Sequence, residues 1–505
     1  MSRRRAIAVA LASAALLVAL SALARPGGGG SFSGGGGGGG GGGSGGGGGN
    51  GLIGFLVGLI WDLLPWPLKI VVIAVLIVMF IVRSVSGTRQ HDWDTAGASA
   101  VVQPWTQPLA RPAPIAAGGL RQRLAAIRQF DPDFSLVLFE DFLYALYAEA
   151  RYALGRGQLA MLSAYLAPEV TEAMQSAPRA EVRAVVIGAM RYIAVEGTDV
   201  TSSEVRVYVE LESNLATFDG RAEGALYVVE RWTLARSHGA RSRKPARSRV
   251  LDCPGCGAPL AAVIAGTCTH CKRVVATGEL DWIVREAHTV RQEARPPLLT
   301  SNVEEQGTNL QTLVAADAGA RIEQLQQRDP SFNWQAFQGR VALVFREFQV
   351  AWAARDLARM RPYLSDNLFQ MQSYWVDAYL KQALRNVTEN ARIEGIELAR
   401  VDADAFYDAI TVRVRGAGLD YTISDRDGRV VSGSKTRERR YTEYWTLIRG
   451  VNRKGPTRTD PVCANCGAPM KVNMAGTCAY CNAKVTSGDF DWVLSRIEQD
   501  EVYAG

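Results

Sequence analysis

Every cysteine of this chain falls into two copies of one pattern, Cys253, Cys256, Cys268 and Cys271, then Cys463, Cys466, Cys478 and Cys481. Each copy is a pair of C-x-x-C turns, and the second follows the first by 210 residues at every position, from Cys253 to Cys463 through Cys271 to Cys481. Two sulfurs from one tight turn and two from another suit a tetrahedral Zn²⁺ with ligands at about 2.3 Å. Gly257 and Gly467 follow the second cysteine of each copy, where the backbone must turn sharply and a residue free to take positive φ is useful. Four thiolates leave no open coordination position, so the expected cofactor is Zn²⁺ at two structural sites. The competing reading is two disulfides per module, which belongs to an oxidising compartment.

Compartment is read from the N-terminus. Arg3, Arg4 and Arg5 precede an apolar run from Ala6 to Leu20 and an Ala22-Leu23-Ala24 cleavage signal, so residues 1–24 read as a signal peptide or signal anchor. Residues 25–51 are almost pure glycine, too poor in side chains to build a core, and read as a tether. Residues 52–83 hold a transmembrane segment whose core, 63–82, has the roughly 20 apolar residues needed to cross a bilayer. Arg83 and Arg89 follow the span, whereas the glycine tract has no lysine or arginine, which places the rest of the chain in the cytoplasm. The expected location is a membrane with the C-terminal domains in the reducing cytoplasm, where four-thiolate zinc is favoured over disulfides.

The remaining residues contain a duplication. Asp131-Pro132, Phe134, Phe139, Glu149, Leu159, Tyr165 and Leu166 recur as Asp329-Pro330, Phe332, Phe337, Glu347, Leu357, Tyr363 and Leu364, and ERWTLAR around Trp232 recurs as EYWTLIR around Trp445. The second copy gains a segment, Leu419 to Ser434, with Asp427-Gly428 as a hairpin turn. Phe337, Val341, Val344, Phe345, Phe348 and Trp352 recur at helical spacing, as do Leu138, Phe142, Leu146 and Tyr147. Further helices are expected at Pro168 to Met174, Ala180 to Tyr192 and Asp366 to Asn386. Alternation then predicts strands at Val205 to Leu211, Ile410 to Val414, before Trp232 and around Trp445. Helices first and antiparallel strands second give an α+β class, with helices on one side of a curved sheet. The expected layout is a linker at 84–119, domains at 120–236 and 316–450, a basic linker at 237–250, ribbons at 251–288 and 461–505, and linkers at 289–315 and 451–460. A helix is expected to close the C-terminus, and Asp281-Trp282 and Asp491-Trp492 read as helix starts with a core tryptophan.

The segment RDPSFNWQAFQGRVALVFREFQVAWAARDLARMRPYLSDNLFQ, the later EYWTLIR and the upstream span resemble the domain of the mitochondrial inner-membrane translocase subunit forty-four and its bacterial relatives, over Ala316 to Gly450 and more weakly over Leu120 to Arg236. The ribbon module resembles those appended to bacterial members. The resemblance implies two tandem cones similar to nuclear transport factor two, each with a cavity between helices and sheet. It also implies roles in membrane association and in tethering protein machinery, and it carries no catalytic residue onto this chain.

Other candidates have plainer readings. His91, His238, His270 and His288 do not recur between repeats, and His270 is answered by Tyr480, which argues against it as a ligand. Arg236, Arg241, Arg243, Lys244, Arg247 and Arg249 form a basic run without acidic residues. It reads as a solvated connection, an anionic-lipid surface or, less favoured because no aromatics interleave, a nucleic-acid contact. A net charge of +6 is modest for 505 residues and decides little. The expected function is a non-enzymatic, inner-membrane-anchored adaptor that binds a protein partner or anionic lipid, in protein transport or membrane-protein biogenesis. The alternatives are a nucleic-acid- or ribosome-binding tether and an enzyme using the cavity of the same general fold.

Overall fold

The computed structural model describes residues 118–175, 180–294, 299, 308–500, 503 and 505. The expected signal segment, glycine tether, transmembrane segment and most of the first linker lie outside these residues. Among the described residues no helix is long and apolar enough to cross a membrane.

The first repeat opens with α1 (Gly118–Ala125), α2 (Leu136–Gly155) and α3 (Pro168–Gln175). The second uses α4 (Ala318–Arg328), α5 (Trp334–Ala354), a short α6 (Leu357–Met360) and α7 (Asp366–Lys381). The long helices start where a polar side chain accepts an otherwise orphaned N–H: Ser135 from Leu138 and Asn333 from Ala336. They end at equivalent left-handed residues, Gly157 at φ 70° and Arg355 at φ 56°.

Four antiparallel strands follow in each unit. β1 (Glu181–Glu196), β2 (Glu204–Phe218), β3 (Glu223–Ser237) and β6 (Ile283–Ala294) form the first sheet in that order, with the short β4 (Val263–Ile264) and β5 (Thr267–Cys268) in the ribbon. The second sheet runs β7 (Leu384–Ala403), β8 (Tyr407–Ser424), β10 (Arg439–Gly450) and β11 (Val493–Gln499). β9 (Val430–Gly433) turns back on β8 as the expected hairpin, with Gly428 at φ 70°.

Five expectations are corrected. Ala180 to Tyr192 is strand rather than helix: it pairs with β2 and packs against α2 and against α7 of the second repeat, and three register shifts break its alternation. α7 stops at Lys381, and Ala383 at φ 53° turns the chain into β7, so the helix does not reach Asn386. The Asp-Trp pairs start strands, not helices. Each aspartate accepts the N–H of the following tryptophan at 2.8 Å, and the chain then enters β6 or β11. The C-terminal element expected as a helix is β11, and β6 occupies residues expected to be linker after 288.

These strands change the organisation of each repeat. β6 pairs directly with β3, and β11 with β10. Each ribbon is therefore inserted between two neighbouring strands of one sheet rather than appended after it. The same small parallel bridge locks both insertions, Leu166 to Val284 and Leu364 to Leu494.

Side chains fill the space between helices and sheet. Phe337, Phe345, Phe348, Trp352, Trp445 and Trp492 pack together in the second unit, and Phe139, Phe142, Tyr147, Trp232 and Trp282 in the first. All four strand-associated tryptophans are core residues, as expected. Each repeat also holds a buried ion pair: Asp131 to Arg236 at 2.9 Å and Asp329 to Arg449 at 3.1 Å. Each guanidinium also lies over a tryptophan ring, Trp282 at 5.0 Å and Trp492 at 4.6 Å. The recurring Asp-Pro motif is thus the anchor of the helical layer on the sheet.

Candidate metal centres

The eight cysteines form two clusters in which all four sulfurs lie within 4.8 Å of one another. Sγ–Sγ separations are 3.9 Å for Cys253–Cys271 and Cys256–Cys268, 3.9 Å for Cys463–Cys481 and 4.0 Å for Cys466–Cys478. A tetrahedral ion at about 2.3 Å from each sulfur requires edges of about 3.8 Å, whereas a disulfide requires about 2.05 Å. The clusters fit an ion and not disulfides.

Backbone geometry explains the fit. Gly257 and Gly467 take φ 76° and 73°, and their N–H groups return to the carbonyls of Cys253 and Cys463 at 2.8 Å. The second knuckle repeats this at Lys272 and Asn482, with φ 59° and 56°. N–H groups converge on the sulfurs as well. Those of Cys271 and His270 bring the Cys268 thiol down to about 6. The N–H of Ala483 and the side chain of Asn465 do the same at Cys481. Both are thereby disposed to meet a cation as thiolates.

Among the described residues no histidine joins either cluster. His238 stacks on Phe130 at 3.8 Å with its Nε2 2.7 Å from the Gly197 carbonyl, and His270 is solvent-facing. The basic run is not a free patch either. Arg236 pairs with Asp131, Arg243 with Asp281 at 2.5 Å, Lys244 with Asp133 at 3.7 Å, Arg247 with Asp252 at 2.5 Å and Arg249 with Asp366 at 3.6 Å, while Arg241 donates to the Phe130 carbonyl. This segment ties ribbon, domain and second repeat together. The second ribbon is held similarly: Lys484 donates to Asp366 at 2.9 Å, and Arg361 donates to the Met474 carbonyl at 2.8 Å.

The repeats meet along a seam that residue spacing does not single out. Arg121 pairs with Glu498 at 3.0 Å, Arg496 with Glu140 at 2.8 Å, and Asn367 donates to Asp141. Leu138 packs with Tyr407 and Ile448. Beside it runs a cleft of about 510 Å³ whose lining includes Tyr144, Tyr152, Val186, Ile187, Met371 and Tyr374. Enclosure pushes Asp141 up to about 7, opposed by Arg249 and reinforced by Glu140 and Asp366. At Glu498 burial works against the charged form, yet Arg121 and Arg496 outweigh it and hold the carboxyl below its usual value. One signal for the seam is present in the sequence. Arg121, Glu140, Asp141, Arg496 and Glu498 stand where the other repeat has Gly319, Gln338, Gly339, Glu286 and His288. Two copies that meet through non-equivalent surfaces must diverge there.

The fold and its clusters define a tandem α+β protein with two four-cysteine sites able to hold metal ions. Residues 318–457, within the second repeat, match the family model of the Tim44-like domain. No curated protein matches the sequence.

Proposed function

We propose that this chain is a non-enzymatic, membrane-associated scaffold of protein transport or membrane-protein biogenesis, anchored in an inner membrane with its two repeats and ribbons in the cytoplasm. The observation that carries the reading is the Tim44-like domain at residues 318–457, a domain class associated with membranes and protein transport. The packed interiors favour a surface role over chemistry in a cavity. Zn²⁺ is the ion that best suits four thiolates in a reducing compartment, and its part is to close each ribbon. The engagement of Arg236 to Arg249 in internal contacts weakens the nucleic-acid alternative.

Crosslinking in native membranes tests the proposal. Enrichment of membrane or exported polypeptides over a span-only control is the expected result, and enrichment of nothing beyond that control refutes it. A reporter fused after Tyr503 should be cytoplasmic, and periplasmic activity there reverses the topology.

A further inference from the structure

With the linker cations engaged, free basic charge must be sought elsewhere, and it occurs beside exposed apolar side chains on the first ribbon. Ile264 and Val274 are 63% and 58% exposed. Both pair across the strands with Thr267, so they flank it in one cross-strand row on one face. Lys272 and Arg273 lead directly into Val274, and both are exposed. No carboxylate among the described residues pairs with either.

The second ribbon, with the same four-cysteine spacing, is an internal control. Its counterparts of Ile264, Lys272, Arg273 and Val274 are Met474, Asn482, Ala483 and Lys484. There the apolar pair is broken, neither 482 nor 483 carries a cation, and Lys484 is bound to Asp366. Position 272 is informative in its own right. Its left-handed backbone, φ 59°, is one that asparagine takes more readily than lysine, and asparagine stands at the equivalent 482. The fold therefore does not ask for lysine here.

We propose that this face of the first ribbon docks on an anionic membrane surface, Ile264 and Val274 entering the interfacial region while Lys272 and Arg273 meet lipid phosphates. Charge complementarity selects this occupant: aliphatic side chains beside unpaired cations match an interface that is apolar below and negative above. A nucleic acid would bury neither aliphatic side chain and would find no aromatic ring on this face to stack on. The proposal rests on the membrane-associated reading and names the surface that faces the lipid.

The test uses the full chain in nanodiscs of phosphatidylcholine alone or with phosphatidylserine, carrying benzoylphenylalanine at position 264 or, as the control, at 474. Lipid adducts are expected at 264 in the anionic discs, well above those at 474 and above those in neutral discs. The double variant Lys272→Glu/Arg273→Glu should weaken the contact by at least about thirtyfold, at about 1 kcal/mol per basic residue, and bring adducts at 264 down to the neutral-disc level. Retention of two metal ions per chain shows that this variant keeps its ribbons. Equal adducts at 264 and 474, adducts indifferent to lipid charge, or crosslinks at 264 to protein or RNA instead of lipid overturn the proposal. A chain that stays in the discs yet gives no adduct at 264 refutes the ribbon contact alone, whereas a chain that never associates with the discs overturns the membrane reading with it.

Discussion

Replacing Asp141 by asparagine should strengthen the seam between the repeats at neutral pH. The Asp141 side chain lies between α2 and α7, accepts from Asn367, and has Glu140 and Asp366 close by with Arg249 as the opposing cation. Its carboxyl rises from 3.8 to about 7 in the folded chain. Between these values an unfolded Asp141 has released its proton while the folded one retains it, so the folded state loses relative stability as pH climbs from about 4 to about 7. The full shift corresponds to about 4 kcal/mol at about 1.36 kcal/mol per pKa unit. Partial access of water to the side chain lowers the expected effect to about 2–4 kcal/mol. Asparagine preserves the shape and the acceptor for Asn367 but never ionises. Hydrogen exchange along 136–155 and 366–381 reads the opening of both helices, and comparing variant with parent at each pH cancels the intrinsic exchange rate. Asp141→Asn should slow exchange in these helices at pH 8, with the difference vanishing towards pH 4. Equal protection at pH 8, or a variant less protected than the parent, would refute this account of the seam.

Purified chain should carry two metal ions by elemental analysis, and a value near zero after metal-replete, reducing preparation contradicts the cluster assignment. Asp329→Ala leaves Arg449 buried beneath Trp492 without its 3.1 Å partner, and should cost about 3–5 kcal/mol in denaturant unfolding followed by tryptophan fluorescence; a loss below about 1 kcal/mol would mean that the pair is not the anchor described. Gly467→Ala adds a methyl group with nothing within 4 Å, so only the backbone cost of φ 73° remains. That cost, about 1–2 kcal/mol, should appear as roughly tenfold easier metal loss to a chelator.

Much of this molecule is legible in residue spacing. The four-cysteine clusters, the duplication, the apolar faces of α2 and α5, the hairpin at Asp427-Gly428 and the core tryptophans all derive from local pattern. β1 escapes such a reading because a strand broken by bulges loses the alternation that identifies it, and Val185-Val186-Ile187 looks apolar at any period. The closing strands escape it for another reason. Asp281-Trp282 and Asp491-Trp492 cap an N–H as helix starts do, yet the partners that make strands of Ile283–Ala294 and Val493–Gln499 lie about 50 residues back in the chain, on β3 and β10. The seam is out of reach of periodicity because its ion pairs join residues hundreds of positions apart, such as Arg121 and Glu498.

The insertion of a ribbon between neighbouring strands bears on where this protein can be cut. The Tim44-like match ends at 457, before the second ribbon, but the sheet of that repeat is completed only by β11, which brings Trp492, Leu494 and Ile497 into the core. A fragment ending at the family boundary would keep the helices and most of the sheet while leaving the hydrogen-bonding edge of β10 bare beside an open core. Such an edge invites pairing with another copy. Soluble expression of the second repeat should therefore begin before α4 and run through Gln499, ribbon included, with metal supplied while the chain folds.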